Sequence, residues 1–111
     1  MFSLNLLPTS SDLVVVVYVK DLDIVSVLFT DLSGALRIRS FAIMKARSHF
    51  SIKKFVVASV PDGNFKESGE VGWSDDLDKA RKVRDDCVKL YVVQLTKRLR
   101  PQVGDVINVI R

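Results

Sequence analysis

Six cations, Arg37, Arg39, Lys45, Arg47, Lys53 and Lys54, fall between Leu32 and Pro61, a span without a single acidic residue. Phe41, Phe50 and Phe55 are interleaved with them. Spaced arginines and lysines neutralise phosphates, and aromatic rings among them offer faces on which unpaired bases stack. The chemistry that suits this pattern is binding of nucleic acid, largely through its phosphates and with little sequence choice. Phe41 and Phe50 are the candidate stacking residues. Lys97, Arg98 and Arg100, late in the chain, extend the basic set. The same alternation also describes a solvated sheet face, on which basic residues blunt an edge and the phenylalanines belong to the core.

Catalytic constellations are poorly represented. His49 is the only histidine and Cys87 the only cysteine. The first falls in a hairpin loop and the second on the apolar face of a helix, so neither nucleophilic triads nor zinc sites have their usual ligands. Asp21, Asp23, Asp31 and Asp62 all sit in turns; gathered at one end of a sheet they could hold Mg²⁺ for phosphodiester hydrolysis, but turn-forming aspartates are far commoner. Gly63, Gly69 and Gly72 match neither a Walker loop nor a dinucleotide fingerprint. The expectation is a binding protein that is not an enzyme and takes no metal and no cofactor. A metal-dependent nuclease ranks third, behind nucleic-acid binding and an assembly module.

These residues need elements to position them, and the clearest is a helix over 74–100. Ser74 is its N-cap, Asp75, Asp76 and Asp78 load the first turn with negative charge, and Lys97, Arg98 and Arg100 load the last with positive charge. Pro101 ends it. Leu77, Ala80, Cys87, Val88, Tyr91 and Leu95 form an apolar stripe, flanked by Val83, Leu90 and Leu99. Arg84 interrupts that stripe and reads as a stem that snorkels at the edge of the contact.

Upstream, the pattern is strand and turn. Phe2 to Leu7 is an edge strand or an arm; Leu13 to Val19 and Ile24 to Thr30 are apolar on both faces and form a hairpin. Ala35 to Lys45 begins a third strand after a turn at Gly34. In it Leu36 and Ile38 oppose Arg37 and Arg39, yet Phe41 and Ile43 lie on the arginine side, which predicts a bulge near Ser40. A matching switch at Lys53 and Lys54 predicts a bend in this hairpin. Pro61 to Trp73 reads as a long glycine-containing loop, and Val103 to Ile110 as a last strand entered through Gly104.

The fold class that follows is α+β: an antiparallel meander of four or five strands, one long C-terminal helix across a face, then a final strand, in a single domain over 1–111. A chain of 111 residues, 48% hydrophobic and of net charge +4, holds one core without disulfides. The lone cysteine, a Met1 to Pro8 stretch without a secretory pattern and apolar runs of at most seven residues point to a cytoplasmic protein that does not cross a membrane. One helix covers only one sheet face, so a second copy covering the other predicts a homodimer. The alternative function is accordingly an assembly or protein-interaction module, of the kind viral and mobile-element genomes encode, that meets itself or a host protein.

Overall fold

The computed structural model describes residues 2–4, 14–46 and 52–103. Six strands form one antiparallel sheet whose spatial order equals their order in the chain: β1 (Phe2–Leu4), β2 (Val14–Val19), β3 (Ile24–Thr30), β4 (Leu36–Lys45), β5 (Phe55–Pro61) and β6 (Gly69–Ser74). One helix, α1 (Leu77–Val103), follows and packs on the sheet. This is the α+β meander expected from the alternating β-branched runs and the single 3.6-residue stripe. Phe2–Leu4 is the edge strand, with Phe2 opposite Val19 and Leu4 opposite Val17.

The core is the contact between α1 and one sheet face. Val14 and Val16 from β2, Val25 and Val27 from β3, and Phe41 from β4 are buried against Val88, Val92 and Leu95. Directly opposed residues share a face, so the partners Val17, Ser26, Ser40 and Val60 belong to the other side. Val17, Ser26 and Val60 are buried there as well, and the Ser26 and Ser40 hydroxyls, 2.9 Å apart, satisfy one another. The two-faced apolar character read for β2 and β3 is thus used on both sides.

Several expectations are corrected. β4 carries no bulge: its register runs unbroken from Leu36 to Phe41 against β3 and from Arg39 to Lys45 against β5. Arg37 and Arg39 therefore remain on the helix-facing side together with Phe41 and Ile43. The switch at Lys53 and Lys54 is the start of β5, whose first residue is Phe55. The register shift falls instead between β5 and β6, at Val57/Ala58. Pro61 to Trp73 is not a structureless loop, since it holds a 3-10 turn over Phe65–Glu67 and all but the last residue of β6.

The helix starts later and ends later than its sequence signals imply. Asp76 is the cap: its carboxylate accepts the Asp78 N–H at 2.8 Å, and its carbonyl accepts the first intrahelical bond, from Ala80, at 2.9 Å. Ser74 closes β6, and its hydroxyl accepts the Asp76 N–H at 3.2 Å. Pro101 lies within the last turn. Val103 is helical, and the remainder of the expected final strand lies outside the described residues. Leu90, expected beside the stripe, is exposed, whereas Val92 is buried. Cys87 is half-buried; burial, with Asp86 adding to it, pushes its thiol pKa up.

Arg84 is the largest departure, being only 4% exposed and so not a snorkelling stem. Its Nη1 donates to Asp23 Oδ1 at 2.7 Å and to the Asp23 carbonyl at 2.9 Å, and its Nε donates to Asp85 at 3.1 Å. Arg81 Nε reaches Asp23 Oδ2 at 2.7 Å, and the Tyr18 hydroxyl donates to Asp23 Oδ1 at 3.0 Å. Asp23 ends the 3-10 turn Lys20–Leu22 at φ 53, a left-handed conformation that aspartate tolerates better than most residues. Burial pushes its carboxyl pKa up, but the bonds from Arg84, Arg81 and Tyr18 outweigh that and hold it at about 2. This cluster ties the β2–β3 turn to the first half of α1.

Candidate functional site

β4 is a regular strand, so the basic residues of the Leu32–Pro61 span do not form one patch. Arg39 and Lys45 are six residues apart, about 20 Å at the rise of a strand. Arg37 and Arg39 belong to the end near the β3–β4 turn. Lys45, exposed and opposite Phe55, belongs to the other end with Lys53 and Lys54. Arg47, Phe50 and His49 lie outside the described residues. Phe41 is 2% exposed and meets the Tyr91 ring edge-on at 5.7 Å, so its face is committed to the core and not offered to a base.

Two turns shape the arginine end. In Asp31–Ala35 the Asp31 carboxylate accepts the N–H groups of Ser33 at 2.9 Å and Ala35 at 3.0 Å, while Gly34 takes φ 85. After β5, Asp62 at φ 49 and Gly63 at φ 74 make the tight turn that Pro61-Asp-Gly-Asn64 announces, closed by the Asn64 N–H on the Pro61 carbonyl at 2.8 Å. That turn aims Asp62 back across the sheet, where it accepts from Arg37 Nε at 3.1 Å and from the Ile38 N–H at 3.2 Å. Arg37 also lies 3.5 Å from Asp31. Hydrogen bonding to Asp62 raises the Arg37 pKa, and the same bond lowers that of Asp62. Arg37 is thus largely neutralised by its own neighbours.

Arg39 is differently placed. Its Nη1 donates to the Ser59 hydroxyl at 3.0 Å, a neutral partner, and its guanidinium carbon lies 5.4 Å from the centre of the Tyr91 ring. Tyr91 stands on α1 between Phe29 and Phe41. Beyond it the helix and β4 enclose a groove of about 430 Å³, with Arg37 and Arg39 on the sheet side and Tyr91, Leu95 and Arg98 on the helix side. Phe29, Asp31, Leu32 and Ser33 close one end. The groove continues as a second hollow of about 400 Å³ that shares Arg39, Tyr91, Leu95 and Arg98 and adds Gln94 and Lys97. Among the described residues, neither Lys97 nor Arg98 has an acidic partner. The basic helix end, read as complementing the helix dipole, therefore meets the basic end of β4. Sequence spacing does not bring these residues together.

At the other end of the β4–β5 hairpin, Lys53 pairs with Glu70 at 3.2 Å and lies 5.9 Å from the centre of the Trp73 ring. The span is free of acids in sequence, but Asp31, Asp62 and Glu70 neutralise part of it in space. The four turn aspartates do not assemble: Asp23 is held by Arg81 and Arg84, and Asp62 by Arg37. Among the described residues, no three histidine, cysteine or acidic side chains come together to hold a metal ion. No helix of the described residues is long and apolar enough to cross a membrane. Comparison of the chain with protein-family models, curated proteins and solved structures finds no match.

Proposed function

We propose that this protein binds nucleic acid, chiefly through its phosphates, in the groove between β4 and the C-terminal half of α1. The observation that carries this reading is the convergence of Arg39, Lys97 and Arg98, drawn from two elements far apart in the chain, on one hollow. Lys97 and Arg98 have no acidic partner among the described residues, and Arg39 hydrogen-bonds the neutral Ser59 with Asp62 acting on it only through space, an arrangement that suits an anionic ligand. Arg37 contributes less, because Asp62 and Asp31 already engage it. Lys45 and Lys54, at the far end of the hairpin, are peripheral to this site.

Fluorescence anisotropy of labelled RNA and DNA oligonucleotides tests the proposal. Three phosphate contacts to a single strand give a log–log salt slope of about −2, so affinity should fall roughly 20-fold between 50 and 200 mM salt. Arg39→Glu and Arg98→Glu should each abolish binding, whereas Lys45→Glu should weaken it only slightly. No binding at 50 mM salt, or equal losses from all three reversals, would refute it.

A further inference from the structure

We infer that the groove takes a single strand and not a duplex, seating one base against Phe29 and Leu32 with the adjoining phosphate between Arg39 and Arg98; this rests on the nucleic-acid reading above. The groove is graded by chemistry. Phe29 and Leu32 line only the end at the β3–β4 turn, Gln94 and Lys97 line only the opposite end, and Arg39, Tyr91, Leu95 and Arg98 line both hollows. Asp31 stands at the apolar end. Its carboxylate lies 3.5 Å from Arg37, which Asp62 also engages, so this end holds no uncommitted cation for a phosphate. A ligand that is apolar and uncharged at one end and anionic at the other therefore fits in one direction only, and a nucleotide unit of an unpaired strand is such a ligand.

Size and access exclude the duplex. A hollow of about 430 Å³ lies in the range that encloses one group of small-molecule size, about 300–1,000 Å³. A duplex keeps its bases stacked inside and presents a convex wall of phosphates, which can rest on Lys97 and Arg98 at the rim. It has no free base to enter the hollow. Nor do its phosphates reach Arg39, which is half-buried and drawn onto Ser59 and Tyr91. Leu32 is 64% exposed in a turn, so it offers an apolar contact without contributing to the core.

The experiment compares a labelled 12-nucleotide single strand, the corresponding 12-base-pair duplex and a 12-mer of abasic sugar-phosphate units, each with the wild-type protein and with Leu32→Ser. Contacts to an unpaired base are worth about tenfold in affinity. The single strand should therefore bind about tenfold tighter than the duplex and the abasic strand, and Leu32→Ser should remove that advantage while leaving the other two affinities unchanged. Equal affinity for all three ligands overturns this inference and leaves phosphate binding standing. Failure of every ligand to bind overturns both. A thermal melt of Leu32→Ser coincident with wild type establishes that any loss is local.

Discussion

Replacing Asp23 by asparagine is expected to destabilise the fold by about 3 kcal/mol at neutral pH, because it removes the carboxylate that faces the buried Nη1 of Arg84. The substitution is chosen to isolate that effect. Asparagine accepts the left-handed conformation at φ 53, so no backbone strain is added. The lower end of the range for a broken buried pair applies, since Asp85 still accepts from Arg84 Nε. Arg84→Met should cost less, about 1 kcal/mol, because methionine fills much of the volume and Asp23 keeps Arg81 and Tyr18. In the double variant the methionine should recover part of the asparagine loss, giving a coupling energy of at least about 1.5 kcal/mol.

The pH dependence follows from the same carboxylate. Its folded pKa, about 2, lies below the 3.8 of the free side chain, so ionised Asp23 stabilises the fold fully above pH 4 and this stabilisation is lost as pH falls through 2. A shift of nearly two units corresponds to at most about 2 kcal/mol, reduced by the solvent that reaches a side chain 24% exposed. Urea unfolding followed by circular dichroism at pH 7, 5, 4 and 3 reads the effect directly. The gap between wild type and Asp23→Asn should be constant from pH 7 to 5 and narrow between pH 4 and 2. Additive single variants, or a gap independent of pH, would show that Arg84 is not held by Asp23 in the manner described.

Two further predictions concern how the helix is seated. A Cβ at Gly72 would run into Val83 Cγ1, so Gly72→Ala should lower stability by about 1–3 kcal/mol in urea titrations, and pairing it with Val83→Ala should cost less than the sum of the two. Asp76→Ala removes the cap and should cost about 1 kcal/mol by the same measurement, more than Ser74→Ala, which loses only a turn bond; the reverse order would return the cap to Ser74.

The meander and the helix were legible because they depend on local periodicity: β-branched runs for β2 and β3, and the stripe from Ala80 to Leu95 for α1. What escaped depends on distant partners. Arg37 and Arg39 break the apolar alternation of β4, and a bulge is the local remedy. The actual remedy is polar partners 25 and 20 residues away, Asp62 and Ser59, together with Tyr91 on the helix. β6 passed for a loop because its alternation is only two apolar residues long, Val71 and Trp73, both exposed and set among Gly69 and Gly72; Gly72 is there to let Val83 approach. Arg84 looked like an edge residue because its counter-ion is separated from it by four strands and the connections between them. Of the groove, sequence reasoning supplied Arg37 and Arg39 as candidates and noted Lys97 and Arg98, but the junction of the two sets is a product of tertiary packing.

The equality of spatial and sequential strand order has a kinetic corollary. Each strand can pair with its predecessor as soon as it leaves the ribosome, so sheet growth closes only short loops and should be fast. The helix comes after all six strands, however. Until residues 77–103 emerge, the row Val14, Val16, Val25, Val27 and Phe41 has nothing of α1 to bury it. During synthesis the nascent sheet is therefore an open apolar plate, the kind of surface that chaperones engage and that aggregates when they do not.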